Sequence, residues 1–250
     1  MPNQTGPCPT APCHQSLHRL IAPSPKRIPQ AMTSPKYPRT PHLPYSPGGT
    51  SDDRRISSVK SFLGTPVVLT EKMDGSNVCL ETHACFARSH ASSPNHPSFD
   101  AFKACHAVVK NRIPAGIQVF GEWLFAKHSI AYNDLPSYFM AFGVRDINKG
   151  SWASWAEVEL WADELGVPSV PVLARDLTFT SDRALQKAVE GFASQPSLLG
   201  EAREGIVIRL ADEFPDALFE KSVAKWVRSN HVSCSDHWAH QTITRNGLVV

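Results

Sequence analysis

Residues 71–77 read EKMDGSN, preceded by Val67, Val68 and Leu69. The apolar run predicts a strand over Pro66–Met73, so Lys72 arrives at the end of that strand, two residues before Asp74 and three before Gly75. Asp-Gly is turn chemistry and predicts a hairpin whose second strand is Asn77–His83. A lysine flanking such a turn needs no special role. An amine aimed out of a buried strand into a glycine turn is also how a chain would present a nucleophile. The rest of the sequence has to weigh the two.

The bulk composition excludes little. The chain has 250 residues, 42% of them hydrophobic, and a formal net charge of +2. That is ordinary for a globular protein with one sizeable core, and any basic site must be local. No apolar run approaches the ~18 residues that would suggest a membrane span, and residues 1–30 lack a signal-like apolar stretch. Six cysteines with no CxxC pair suggest free thiols in a reducing cytosol, hence a cytoplasmic protein with no membrane contact. His231, Cys234, His237 and His240 recur every three residues. On a helix that spacing carries the side chains around the axis, so they read as polar surface rather than a metal site.

Residues 1–50 hold 12 of the 21 prolines and read as a disordered Pro-rich arm, with Met32 a candidate translation start. Residues 51–230 read as the globular domain and 231–250 as an extension. Within the domain, helical spacing predicts helices over 98–111, 154–165 (Trp155, Val158, Trp161 and Leu165 on one stripe) and 183–193 (Leu185, Val189, Phe192). Strands are predicted at Ile117–Gly121, Tyr138–Ile147, Glu204–Leu210 and Ala224–Val227. Strands mixed with helices, without βαβ alternation, indicate an α+β fold.

Three further stretches place charge at strand ends. FGEWLFAKHSIAY carries Glu122 and His128, EGIVIRL carries Glu204, and AKWVR carries Lys225 and Arg228. Each alone could be an edge charge in water. Four such groups in one domain suit a shared cleft.

KMDGSN, ARSH, FGEWLFAKHSIAY, YFMAFGV, EGIVIRL and AKWVR, in that order, resemble the covalent nucleotidyltransferase superfamily of RNA and DNA ligases and capping enzymes. The likeness runs from about Pro66 to Arg228. Asn77 stands where DNA ligases and capping enzymes usually carry arginine, and this points to the branch resembling phage RNA ligase 2. The resemblance implies a nucleotidyltransferase fold of antiparallel sheets flanked by helices. It also implies an ATP-dependent RNA ligase using Mg2+ or Mn2+, joining a 5′-phosphate to a 3′-hydroxyl RNA end in repair.

On that resemblance Lys72 would take AMP from ATP. Lysine is protonated near neutral pH, with an ordinary pKa of ~10.4, so the amine must first lose its proton. Burial, Lys225 and a metal would help; carboxylates would oppose unless engaged elsewhere. Glu71, Asp74, Gly75, Asn77 and Arg88 would contact the nucleotide or RNA end. Glu122 would bind ribose or metal, Phe142 would stack on adenine, and Glu204 would hold the metal. Lys225 would meet the α-phosphate. Relatives often carry a second lysine two residues on, but position 227 is Val, leaving Lys221 or Arg228 as the candidate second cation. About 22 residues follow Arg228, too few for a separate OB-fold domain. The expectation is therefore a nearly bare catalytic domain that needs a protein partner, or the Pro-rich arm with Lys36 and Arg39, to grip RNA. A minimal DNA ligase and a non-catalytic binding module are the alternatives.

Overall fold

A computed structural model of the chain describes residues 34–50, 52–90, 92–229 and 243–249. The strand of the opening stretch, β1 (Val67–Lys72), does not form a hairpin with its successor, β2 (Ser76–Leu80). The two belong to different sheets, and Met73–Gly75 carry the chain from one to the other. The predicted hairpin is thus replaced by a crossover. The physical reason is burial: Val67 to Glu71 are buried all along β1, so it needs a neighbour on each side, and long-range strands supply both.

In chain order the remaining elements are β3 (Cys85–Ala87), α1 (Asp100–Val109), β4 (Ile117–Trp123), β5 (Phe139–Asp146), β6 (Ser151–Trp152) and α2 (Trp155–Leu165). They continue with β7 (Val172–Leu177), α3 (Asp182–Ala193), β8 (Gly205–Leu210), β9 (Phe214–Pro215), the single-turn α4 (Phe219–Ser222) and β10 (Val223–Val227). One sheet runs β10-β8-β1-β7 and the other β3-β2-β4-β5-β6-β9. Every pairing within them is antiparallel. The fold is α+β. Four strands escape sequence patterning: β7 (VLARDL) is polar and half exposed, and β3, β6 and β9 are three residues or fewer.

The helices sit close to their predicted limits because their ends are encoded locally. Ser154 and Glu157 form a reciprocal capping box on α2, worth ~1 kcal/mol. Gly166 closes the helix at φ 68°, a left-handed conformation that favours glycine. On its inner face Ala162, not Trp161, is buried beside Trp155, Val158 and Leu165. Flanking 3-10 turns shorten the predicted α1, and Phe192 of α3 is only partly covered.

Part of the expected arm belongs to the domain. Leu43 is fully buried, His42 and Ser46 nearly so. Leu43 N–H donates to Lys225 O at 2.8 Å, and Lys225 N–H to Pro41 O at 2.9 Å. Residues 41–43 thereby cover the free edge of β10. Proline density concealed this, since one strand-like contact needs no apolar periodicity. Residues 243–249 also pack, with Asn246 4% exposed. Among the described residues no helix is long and apolar enough to cross a membrane, and Cys79, Cys85 and Cys105 are free thiols.

Candidate active site

The register of β1 against β8 sets Lys72 opposite Gly205, so the residue before that glycine, Glu204, meets the lysine side chain. Lys72 Nζ donates to Glu204 Oε2 at 2.7 Å, with Glu204 3% exposed. This pair lies in a cleft of about 790 Å³ lined by both sheets. Glu71, Asp74, Gly75, Asn77, Arg88, Glu122, His128, Phe142 and Lys225 also line it; Lys221 and Arg228 do not. Lys221 is exposed on α4, and Arg228 lies just past β10. Val223, Lys225 and Val227 share the cleft face of β10, so alternation sets Arg228 on the other face, while Lys221 precedes the strand on α4. Neither candidate for a second cation therefore reaches the site.

Burial presses the Lys72 ammonium towards deprotonation, but Glu204, Glu122 and Asp74 outweigh it and hold the amine above its ordinary value. The expectation of a lowered amine is thus reversed in the protein alone, because Glu204 is engaged with Lys72 itself. Glu122 lines the cleft partly covered; burial, opposed by Lys72 and reinforced by Glu204 and Asp74, pushes its carboxyl up to about 7. Its Oε1 accepts from Gly75 N at 3.1 Å. A Cβ on Gly75 would lie 2.6 Å from Trp123 O, so only glycine lets the crossover pass this close to β4.

Asp74 is held by protein rather than left open for a ribose. Its Oδ2 accepts from Ser129 N (2.8 Å), Ser129 Oγ (2.7 Å) and Ile130 N (2.9 Å). Glu71 likewise points away from the lysine, as alternation along β1 requires. Its carboxylate accepts from Leu198 N at 3.0 Å and lies 3.3 Å from Arg203 Nε. Asn77 pairs with Glu122 across β2 and β4, and its enclosed Oδ1 accepts no hydrogen bond among the described residues. Phe142 is half buried and meets Tyr37 edge-on, centroids 5.1 Å apart.

Several cleft residues escaped sequence reasoning. Lys225 Nζ lies 3.6 Å from Asp53 Oδ1. Burial and the charge of Lys72 ease the Lys225 proton off, with Asp53 opposing. His42 Nε2 is 3.4 Å from Asp53 Oδ2; burial, then Lys225, hold its ring down to about 4, so it is neutral at pH 7. Tyr37 and Arg54 enter from the same stretch, beside Arg39, which the sequence had already offered as an RNA contact of the arm. No motif marks these residues. Arg209 did carry a signal: it stands two positions after Val207 on β8, and both face the cleft. It is buried over the Trp155 and Phe214 rings, and burial brings its guanidinium down to about 10.

Among the described residues no group of three or more His, Cys, Asp or Glu side chains could hold a metal ion by itself. The His231, Cys234, His237 and His240 set lies outside the described residues. Glu122 and Glu204 offer oxygen alone, the donor type of a hard divalent cation. Glu204, Glu122 and Asp74 all act on the Lys72 ammonium, so carboxylate oxygens gather around this one amine.

A sequence profile described as RNA ligase matches residues 65–227. Searches among curated proteins return no match. Among solved structures, three forms of a Naegleria gruberi RNA ligase are similar: a ligand-free mutant, a form with pyrophosphate, and a mutant with ATP and Mn. They share 19%, 20% and 19% identity with TM-scores of 0.47, 0.48 and 0.47. Each alignment covers 69% of this chain and 51% or 52% of the other, so the chain spans about half the length of these ligases.

Proposed function

Because the chain belongs to the RNA ligase family, we propose that it joins RNA ends through a lysyl-adenylate formed on Lys72. The observation carrying this reading is the placement of one primary amine, 2.7 Å from Glu204, in a cleft with Lys225 on the same sheet. The ammonium gives up a proton to water. Its N–P bond to the α-phosphorus of ATP forms as the bond to pyrophosphate breaks, and pyrophosphate leaves with the electron pair. The 5′-phosphate of an RNA then displaces Lys72 from the AMP, the nitrogen leaving with the N–P electron pair and regaining a proton from water, and a 5′–5′ pyrophosphate link forms. A 3′-hydroxyl attacks that RNA phosphate, loses its proton, and AMP departs.

Lys225 faces the charge that builds on the α-phosphate oxygens; its own lowered proton affinity is reversed when a phosphate arrives. Phe142 offers an aromatic face for adenine, and Tyr37 fixes its tilt. The unfilled acceptor of Asn77 suits a hydroxyl or amide donor on the bound nucleotide or RNA end. Glu204 and Glu122 would hold Mg2+ or Mn2+, which supplies positive charge to the triphosphate. Arg39, Arg54 and Arg88 line the same cleft and suit an RNA phosphate backbone. Repair of RNA breaks in the cytoplasm, with a protein partner adding RNA affinity, is the setting this chemistry suits.

The test is incubation with α-labelled ATP and Mg2+ or Mn2+, followed by transfer to a 5′-phosphorylated RNA. Label should attach to the wild type and not to Lys72→Ala, then pass to RNA. No adduct with either ion would leave a non-catalytic binding module. Equal sealing of deoxyribose 3′ ends would favour a DNA ligase.

A further inference from the structure

We infer that residues 243–249 form a strap that fixes the Asp74 turn, with Asn246 as its positioning residue; this rests on the reading of Lys72 as the adenylylated amine. The turn does not hold itself. Beyond the three bonds to Asp74 Oδ2 from Ser129 and Ile130, Asp74 N–H donates to Tyr132 Oη at 2.9 Å. Both the carboxylate and the backbone of Asp74 are thus placed by the connection 124–138, which has no regular secondary structure.

That connection is placed in turn by the strap. Asn246 is buried and spans it: Nδ2 donates to Leu124 O at 2.8 Å, and Oδ1 accepts from Tyr132 N at 3.0 Å. Its backbone N–H donates to Phe125 O at 3.1 Å, and its carbonyl accepts from Tyr138 Oη at 3.1 Å. Lys127 N–H donates to Thr244 O, Gly247 N–H to Tyr132 O, and Leu135 N–H to Gly247 O, at 2.8–3.1 Å. A long irregular connection has no ladder of its own to pair its backbone groups, and unpaired buried groups are costly. The strap supplies that ladder. The chain of contact therefore runs from Asn246 through Tyr132, Ser129 and Ile130 to Asp74, two residues beyond Lys72.

None of residues 243–249 lines the cleft, so loss of the strap should misalign the amine without removing a nucleotide contact. The test uses the full chain with Asn246→Ala, Asn246→Asp and Ser129→Ala, counting folded molecules in each. Single-turnover adduct formation in Asn246→Ala should fall by about 10- to 100-fold per folded molecule. KM for ATP should stay within about 2-fold. Combining Asn246→Ala with Ser129→Ala should lose less than the product of the single effects, because both act through Asp74. Asn246→Asp keeps the acceptor for Tyr132 N–H but not the donor to Leu124 O, and should fall between; it carries the same readings if the alanine variant is insoluble. Hydrogen exchange should quicken at 124–135 and at 73–76 together, a readout independent of catalysis. A wild-type rate per folded molecule, or unchanged exchange at 73–76, overturns the strap. Absence of an adduct on the wild type overturns the reading of Lys72 instead, with exchange at 73–76 still deciding the strap.

Discussion

Lys72 Nζ and Glu204 Oε2 stand 2.7 Å apart across the ends of two paired strands, and Glu204 is the strongest electrostatic neighbour of Lys72. The pair is a resting state. It keeps the amine charged, and in the proposed mechanism the amine would become nucleophilic only once something draws Glu204 away.

Glu204→Gln should therefore split two properties that normally move together. Removing that carboxylate lowers the proton affinity of Lys72, so modification of this lysine by an amine-reactive reagent should become faster at pH 8. Adenylylation should fall by about 100-fold or more, because the divalent cation that would offset the triphosphate charge loses a carboxylate ligand. Peptide mapping and labelled ATP read the two effects separately.

Glu122 predicts a pH effect with a definite sign. Its folded-state value of about 7 exceeds the ordinary 4.5. The folded protein therefore binds this proton more tightly than the unfolded chain, and the carboxyl costs stability progressively from pH 4.5 up to about 7 and fully above it. Glu122→Gln should gain on the wild type as pH rises from ~5 to ~8. Melting temperatures across that range check it. Mn2+ should raise the wild-type melting temperature at the upper end and have little effect on the variant.

Glu71 and Arg203 form a buried pair, 1% and 4% exposed, at a distance of 3.3 Å that misses hydrogen-bond geometry at Nε. Arg203→Met strands a buried carboxylate and should cost ~3–5 kcal/mol. Adding Glu71→Gln should recover part of that loss. Denaturant unfolding of the single and double variants measures the coupling.

Leu43 lies in the stretch 34–50 yet is fully buried, and its backbone pairs with Lys225. Leu43→Ala should cost ~2–5 kcal/mol, an ordinary price of a large core cavity. A chain beginning at residue 51 should lose adenylylation along with stability, since the edge of β10 beside Lys225 is uncovered. Activity per folded molecule separates the two losses.

Much of the site could be read from sequence because its residues sit at strand ends beside short-range signals. Lys72 at the end of β1, Glu122 near the end of β4, Glu204 just before β8 and Lys225 within β10 each adjoin an apolar run, and the structure places all four in one cleft. The helix termini were legible for the same reason, as Ser154, Glu157 and Gly166 act within one turn. His42 and Tyr37 were not legible, because a proline-rich stretch has no periodicity to reveal which residues it buries.

The amino-acid order by itself determined six of the ten strands (β1, β2, β4, β5, β8 and β10), the caps of α2 and the ordered set of charged residues beside those strands, since each depends on neighbours a few residues away. Tertiary structure alone decided that β1 and β2 part into different sheets, and that Glu204 rather than a distant group masks Lys72. It also decided that Lys221 and Arg228 stay outside the cleft lining, and that residues 41–43 and 243–249 close on the domain. Those outcomes depend on register and burial between segments far apart in the chain, which no local pattern of side chains encodes.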